Sequence, residues 1–134
     1  MPATKIDARV IEQFRAGEEP RGFHRDRLVL LTTVGAKTGQ SRTSPMMFIP
    51  SPGGIIVIAS ANASPEDPRW FHNLEADPHA HVELADEEFD ADATVLSGER
   101  REREWAALVE AFPFFAEHQA KVERQIPMIE LTRV

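Results

Sequence analysis

The chain opens on a stretch in which apolar side chains recur at helical spacing. Ile6, Val10 and Phe14 follow one another every four positions, as along the buried face of an amphipathic helix. This spacing predicts a helix over residues 4–16 that packs on the rest of the protein. Glycine and proline occur together at positions 17, 20 and 22, so we expect a loop to end the helix.

Short apolar runs in the centre of the chain predict β-strands. The first, Leu28 to Val34, begins with apolar residues on both faces, which is typical of a strand inside a barrel. Two more strands are predicted over residues 42–49 and 55–60, with a turn over 50–54 between them. Pro45 lies within the second strand. Because proline cannot donate to a sheet ladder, we expect a bulge, an edge or a local opening there.

The second half of the chain alternates between helical and strand-like patterns. Asp67 at the N-cap and Pro68 at the first helical position predict a short helix, which Pro78 ends. The remaining pattern predicts a hairpin with strands over residues 81–84 and 88–96. Two helices over 99–112 and 114–124 and a last strand over 126–132 are predicted to follow. About six strands and four helices without strict β–α–β alternation favour an α+β fold.

Length and composition indicate one folded domain. The chain has 134 residues, of which 42% are hydrophobic and 28% charged. We expect a single domain over 1–134, with a helix and loop in 1–27 and a barrel with helices in 28–134. The absence of cysteine excludes disulfides and thiolate chemistry. The longest apolar run is too short to span a bilayer and no apolar secretory core occurs near the first residues, so a cytoplasmic location without membrane association is expected.

Charge is unevenly distributed along the chain. The formal net charge is -7, but residues 1–45 carry +3 and residues 46–134 carry -10. A nucleic acid is therefore not expected as a partner, because its phosphates would meet mostly repulsion. A small anionic ligand held by the basic third of the chain is compatible with this distribution, as is an ordinary solvated surface.

The basic third contains a glycine-rich connection between the first two predicted strands. Lys37 and Arg42 lie in or beside it, together with threonines and glycines. Glycines let backbone N–H groups approach phosphate or carboxylate oxygens, and the cations add charge-assisted hydrogen bonds. An ordinary hairpin turn uses the same residue types. A Walker A loop does not match, because Ala36 precedes the lysine and a strand containing proline follows.

Two other groups of residues have alternative explanations. His79 and His81 would share one face of a strand, but no third metal ligand is evident, so no metal site is expected. Phe112, Phe114 and Phe115 flank Pro113 and form a dense aromatic patch. This patch is either core packing or an apolar wall over a flat ligand.

Three segments together resemble one known family. They are LLTTVGAKTGQSR at 30–42 with Pro45; IAS at 58–60 with PRWFHNL at 68–74 and DP at 77–78; and AFP at 111–113 with Ala116, Gln119 and RQIP at 124–127. In this order they resemble the deazaflavin-dependent nitroreductase family, which uses coenzyme F-420 on a split β-barrel. The resemblance implies an α+β split β-barrel of about six mostly antiparallel strands with flanking helices.

The resemblance also implies which residues bind the cofactor. The cofactor tail carries a phosphodiester and glutamate, which Lys37 and Arg42 are expected to bind with help from Thr38 and Gly39. The expected residues along the deazaflavin edge are Pro45, Ile58, Ala59 and Ser60. Arg69 and Trp70 are expected beside the cofactor, and Asn73 is expected to brace the glycine-rich loop.

The implied reaction is hydride transfer from reduced F-420 to a small electrophilic substrate such as a quinone, an enone or a nitro compound. Ser60 is expected to bind a substrate oxygen that gains charge. The chain has no tyrosine, and the positions that match tyrosines of other members are Met47, Phe112, Phe115 and His118. His118 is thus the candidate proton donor. An FMN-dependent split-barrel reductase and a non-catalytic F-420 carrier are the alternatives, and a monomer or a homodimer is expected.

Overall fold

The computed structural model describes residues 5–20 and 24–134. Within them, six antiparallel strands close into a barrel in the order β1-β2-β3-β6-β5-β4, and four α-helices surround it. The elements are α1 (Lys5–Arg15), β1 (Leu28–Val34), β2 (Ser41–Ser51), β3 (Gly54–Ile58), α2 (Arg69–Ala76), β4 (His79–Glu83), β5 (Glu88–Val95), α3 (Gly98–Ala111), α4 (Phe114–Ala120) and β6 (Met128–Arg133). Single 3-10 turns occur at Arg25–Arg27 and Ala61–Ala63. The predicted α+β barrel is confirmed.

Strand β2 changes its neighbour part-way along its length. Its first part pairs with β1, ending at Met47 opposite Leu28, and its last part pairs with β3 from Phe48 onward. Pro45 therefore has a neighbouring strand on one side only, and so does Pro50. A missing N–H is tolerated at such one-sided positions. Of the bulge, edge or local opening expected at Pro45, the structure has an edge on one side of β2.

The core has one part inside the barrel and others outside it. The interior is filled by apolar side chains from every strand, among them the fully buried Val29, Val57, Val82 and Leu131. The opposite face of β3 and β6 packs against α3 and α4 through a second set of buried side chains: Ile56, Ile58, Leu96, Leu108, Phe115, Ile126 and Met128. Helix α1 covers the outer face of β1. Strand β3 is consequently covered on both faces, which explains its continuous apolar sequence.

Several predicted boundaries were wrong. Helix α2 begins at Arg69 with Pro68 at its N-cap, because the carboxylate of Asp67 accepts a hydrogen bond from Arg124 instead of capping the helix. The predicted turn over 50–54 contracts to Pro52 and Gly53, since β2 continues to Ser51.

Other corrections concern the ends of elements. Helix α4 ends at Ala120, four residues early, because the side chain of Gln119 binds the backbone that follows. Strand β4 begins at His79, two residues early, and β3 ends at Ile58, two residues early. Strand β6 begins at Met128, two residues late. The predicted first residue of α1, and Gly22, lie outside the described residues.

Candidate functional site

The glycine-rich connection between β1 and β2 is a closed turn. The N–H of Gly35 donates to the carbonyl of Gln40 at 2.8 Å, and the N–H of Gly39 donates to the carbonyl of Gly35 at 2.9 Å. Gly39 has a φ of 71°, in the left-handed region that favours glycine. Within the described part of the chain, the N–H groups of Lys37 and Thr38 have no hydrogen-bond partner. The turn therefore presents two free backbone donors at its tip.

Asn73 connects this turn to helix α2, as predicted. Its Oδ1 accepts a hydrogen bond from the N–H of Ala36 at 3.0 Å, and its Nδ2 donates to Oγ1 of Thr33 at 3.1 Å. The side chain is buried, so both of its polar ends are matched within the protein. The distance between the turn and α2 is thereby set by one side chain.

A cleft of about 390 Å³ lies between the turn and α2. Five of the predicted cofactor-binding residues line it, namely Lys37, Thr38, Arg42, Arg69 and Trp70. Among the described residues, none of the three cations forms an ion pair with a carboxylate, and Arg42 binds only the side-chain oxygen of Gln40, at 3.2 Å. The cleft thus brings together three cations that have no ion-pair partner among the described residues.

The cleft also contains two carboxylates, Glu66 and Asp67, that were not predicted to lie at a binding site. Glu66 is exposed, whereas Asp67 accepts a hydrogen bond from Nη1 of Arg124 at 2.6 Å. Arg124 lies 57 residues further along the chain. No local sequence signal connects the two, so this pair emerges only from the fold.

The remaining residues predicted to contact the cofactor do not line this cleft. Ala59 is fully buried, Ile58 is 6% exposed and Ser60 is 9% exposed, while Pro45 lies in the one-sided part of β2. Gly39 lies on the turn, and its N–H is already used within the turn. The lining of the cleft therefore contains only half of the predicted cofactor-binding residues.

The segment that follows β3 carries two alanines in a strained conformation. Ala61 has a φ of 48° and Ala63 a φ of 63°. An L-residue in the left-handed region costs roughly 1–2 kcal/mol, so surrounding contacts must hold the segment in place. Such strain is found preferentially at functional sites.

The predicted substrate-binding residues lie in a separate apolar cluster. Met47, Phe112 and Phe115 pack with Ile58 on the outer face of β3, and the guanidinium of Arg27 lies 5.4 Å from the ring centroid of Phe112. Phe115 is 4% exposed, so it packs in the core as well.

His118 lies at the edge of this cluster. Its ring packs edge-on against the rings of Phe114 and Phe115 at centroid distances of 5.5 and 6.0 Å. Its Nδ1 is buried and has no hydrogen-bond partner in the described structure. Helix α4, which carries His118, packs against the turn Ala61–Ala63 just after Ser60. The two predicted catalytic residues therefore lie on adjoining elements.

The two histidines of β4 bind carboxylates of β5. His81 contacts Glu88 at 2.7 Å and Asp90 at 2.9 Å, while His79 pairs with Asp92. The hydrogen bonds to Asp90 and Glu88 raise the pKa of His81 above its ordinary value. In the described part of the chain, no group of three His, Cys, Asp or Glu side chains is arranged to hold a metal ion.

Comparison with known proteins identifies similar sequences and structures. A family model described as F420H(2)-dependent quinone reductase matches residues 4–133. Rv3178 of Mycobacterium tuberculosis strain H37Rv, provisionally named an F420H(2)-dependent quinone reductase, is 33% identical over 103 residues, which cover 77% of this chain and 87% of that protein.

Two solved structures are also similar to this chain. One, described as an F420-H2 dependent reductase (FDR-A), has 38% identity and a TM-score of 0.71 and covers 82% of this chain and 99% of its own. The other, described as a domain-swapped dimer, has 36% identity and a TM-score of 0.74 and covers 92% of each chain.

Proposed function

Because the chain belongs to the F420H(2)-dependent quinone reductase family, we propose that the cleft beside α2 binds the negatively charged tail of coenzyme F-420. Membership of this family confirms the sequence-based prediction of an oxidoreductase that uses F-420. The assignment of individual residues to the cofactor, the substrate and the proton is the proposal developed below.

One observation carries the proposal: Lys37, Arg42 and Arg69 converge on a cleft in an acidic protein without being paired to carboxylates among the described residues. Three cations without ion-pair partners suit a phosphodiester and glutamate carboxylates, because charge-assisted hydrogen bonds to such groups are stronger than neutral ones. The free N–H groups of Lys37 and Thr38 add two donors at the tip of the turn. The residues present therefore fit the anionic part of the cofactor.

Trp70 supports both the fold and the cleft. It is partly buried against the barrel core and also lines the cleft, so its indole forms a rigid wall beside the cofactor. The reduced deazaflavin supplies the hydride when it is bound. The contribution of the protein is then to bind the tail, to hold the ring near Ser60 and to exclude water.

The apolar cluster on the outer face of β3 is the proposed substrate side. Met47 and Phe112, which are partly buried, suit a flat, apolar acceptor, and Phe115 supports them from the core. A quinone or an enone is favoured over a bulky nitroimidazole because no tyrosine is present to donate a proton. His118 is the proposed donor to the acceptor oxygen, which needs a proton once it has gained charge. Its Nδ1 is not occupied by a protein acceptor in the described structure.

A binding titration and an acceptor screen test the proposal. Fluorescence titration with F-420 should show that Lys37→Ala and Arg42→Ala each weaken binding by about 1.5–3 kcal/mol, or roughly 10- to 150-fold in Kd. The melting temperature of the empty protein should barely change. The matched control is Lys121→Ala, an exposed lysine at the end of α4. Unchanged Kd values in both cleft variants would refute this placement of the tail.

The acceptor screen addresses turnover and the alternatives. Reduced F-420 should be oxidised with a quinone and an enone, and His118→Gln should slow turnover without changing the Kd of F-420. Tight binding without turnover of any acceptor would support a carrier, and FMN that displaces F-420 from the protein would support a flavin enzyme.

The broader predictions concern the whole chain. We propose that residues 1–134 act as one catalytic domain. A monomeric or homodimeric state and a cytoplasmic location remain predictions from the sequence. No helix in the described part of the chain is long and apolar enough to cross a membrane.

A further inference from the structure

The loop 59–67 joins the barrel to the cofactor cleft. It begins after Ile58, the last residue of β3, and passes through the strained Ala61 and Ala63. It ends at Asp67, which lines the cleft and directly precedes Pro68 at the start of α2. Its conformation therefore decides where Asp67 and the start of α2 lie relative to Lys37. The backbone of this loop does not favour that conformation by itself.

The side chain of Arg124 binds this loop at four points. Nη1 donates to the carbonyl of Ala59 at 3.0 Å and Nη2 donates to that of Ser60 at 2.9 Å, before the strained alanines. Nε donates to the carbonyl of Ser64 at 3.1 Å and Nη1 to Asp67 at 2.6 Å, after them. The planar guanidinium is suited to several acceptors held in fixed positions. The strained segment is thus tied on both sides by one group.

Arg124 is itself held in place by Gln119. Nε2 of Gln119 donates to the carbonyl of Arg124 at 2.7 Å, and its Oε1 accepts the N–H of Ile126 at 2.9 Å. The side chain of Arg124 is only 13% exposed. The backbone at Arg124 is therefore fixed by Gln119 and its guanidinium is held by burial, as expected of a group that orients other residues.

The same side chain changes the electrostatics of the cleft. Asp67 lines the cleft with Lys37 and Arg42, and an unpaired carboxylate there would repel an anionic tail. Arg124 approaches this carboxylate from behind and is not among the residues that line the cleft. The pair neutralises one of the two carboxylates on the lining of the cleft, and the exposed Glu66 is the other.

We propose that Arg124 is a positioning residue for cofactor binding: it holds the loop 59–67 in its strained conformation and neutralises Asp67. This inference rests on the proposed binding of the F-420 tail in the cleft. Arg124 acts through the loop and through Asp67 and does not itself touch the tail.

The test uses the full chain and F-420. Arg124→Gln should raise the Kd of F-420 roughly tenfold, the scale on which groups that orient binding residues act. Adding Asp67→Asn should recover part of that loss, since it removes the unpaired charge. Arg124→Lys should lie between wild type and Arg124→Gln, because it keeps the charge but has fewer donors. If Arg124→Gln fails to fold, the Kd of Arg124→Lys can be measured in its place.

A second readout is independent of the cofactor. In the empty protein, amide hydrogen exchange in peptides that cover residues 59–67 should be faster in Arg124→Gln. The matched control is Arg100→Gln, which breaks the ion pair to Glu130 on β6, away from the cleft. It should lower the melting temperature without changing the Kd or the exchange of the loop.

The outcomes separate this inference from the proposed function. A wild-type Kd in Arg124→Gln would overturn it, and so would a raised Kd with unchanged exchange of the loop and no recovery by Asp67→Asn. If Lys37→Ala and Arg42→Ala leave the Kd unchanged, the placement of the tail is wrong and the part of the inference that concerns Asp67 falls with it. Faster exchange of the loop in Arg124→Gln would then still show that Arg124 holds the loop.

Discussion

Asn73 shows how much of the cleft depends on one side chain. Its amide satisfies the N–H of Ala36 and the hydroxyl of Thr33, while it lies on the helix that forms the opposite wall. The bond to Thr33 is buried, so water has little access to replace it, whereas Ala36 is an exposed residue. A buried donor that loses its partner carries its full desolvation cost.

We expect Asn73→Leu to lower the free energy of unfolding by about 1–3 kcal/mol, mainly because it leaves the buried hydroxyl of Thr33 unmatched. Urea denaturation measures this change. The control is Glu75→Leu, at an exposed position of the same helix, which should stay within about 0.5 kcal/mol of wild type. Equal losses in the two variants would contradict this account of Asn73.

At the scale of elements, the hairpin of β4 and β5 carries a row of ionic contacts on its outer face. His81 of β4 contacts both Asp90 and Glu88 of β5. These hydrogen bonds favour the charged imidazole and raise its pKa above the ordinary value of 6.5. The hairpin is therefore stabilised by a contact that depends on pH.

The direction of this pH dependence follows from the thermodynamic linkage between proton binding and folding. Since folding raises the pKa of His81, the stabilisation is fully present below about pH 6.5, and it is lost as the pH rises through the pKa of the folded state. The difference in unfolding free energy between wild type and His81→Gln should be larger at pH 5.5 than at pH 8.5. Urea denaturation at both values measures it, with the exposed His24→Gln as control. A difference that grows toward pH 8.5 would show that the sign is wrong.

For the molecule as a whole, closure of the barrel and packing of the helices enclose β3 on both faces. Apolar side chains cover it from inside the barrel and from α3 and α4 outside. Val57 is fully buried in the interior, whereas Val95 at the end of β5 is 49% exposed. These two valines allow the same substitution to be compared in two environments.

We expect Val57→Ala to destabilise the protein by about 2 kcal/mol, from lost burial at about 0.8 kcal/mol per methylene-sized group plus the cavity that remains. Val95→Ala should change stability by less than about 0.5 kcal/mol. Thermal unfolding of both variants provides the comparison. Because the barrel is one closed sheet, the loss at Val57 should appear as a lower melting temperature with a single transition. Two separate transitions would argue against a single cooperative unit.

Particular residues show what could be predicted and what could not. The strand Leu28 to Val34 and the basic turn with Lys37 and Arg42 were recognisable, because apolar spacing and turn chemistry are local properties. Asp67 was predicted as a helix cap because capping is a local rule. The observed ion pair with Arg124 replaced it, and that contact spans 57 residues of chain.

By itself, the sequence of this protein determined the order of strands and helices, the α+β class and the location of the cations, since each depends on neighbours a few residues apart. The tertiary structure alone decided where β2 changes partner, how Asn73 sets the width of the cleft and which carboxylate Arg124 neutralises. The physical reason is distance along the chain: such contacts exist only after the barrel has closed and brought remote segments together.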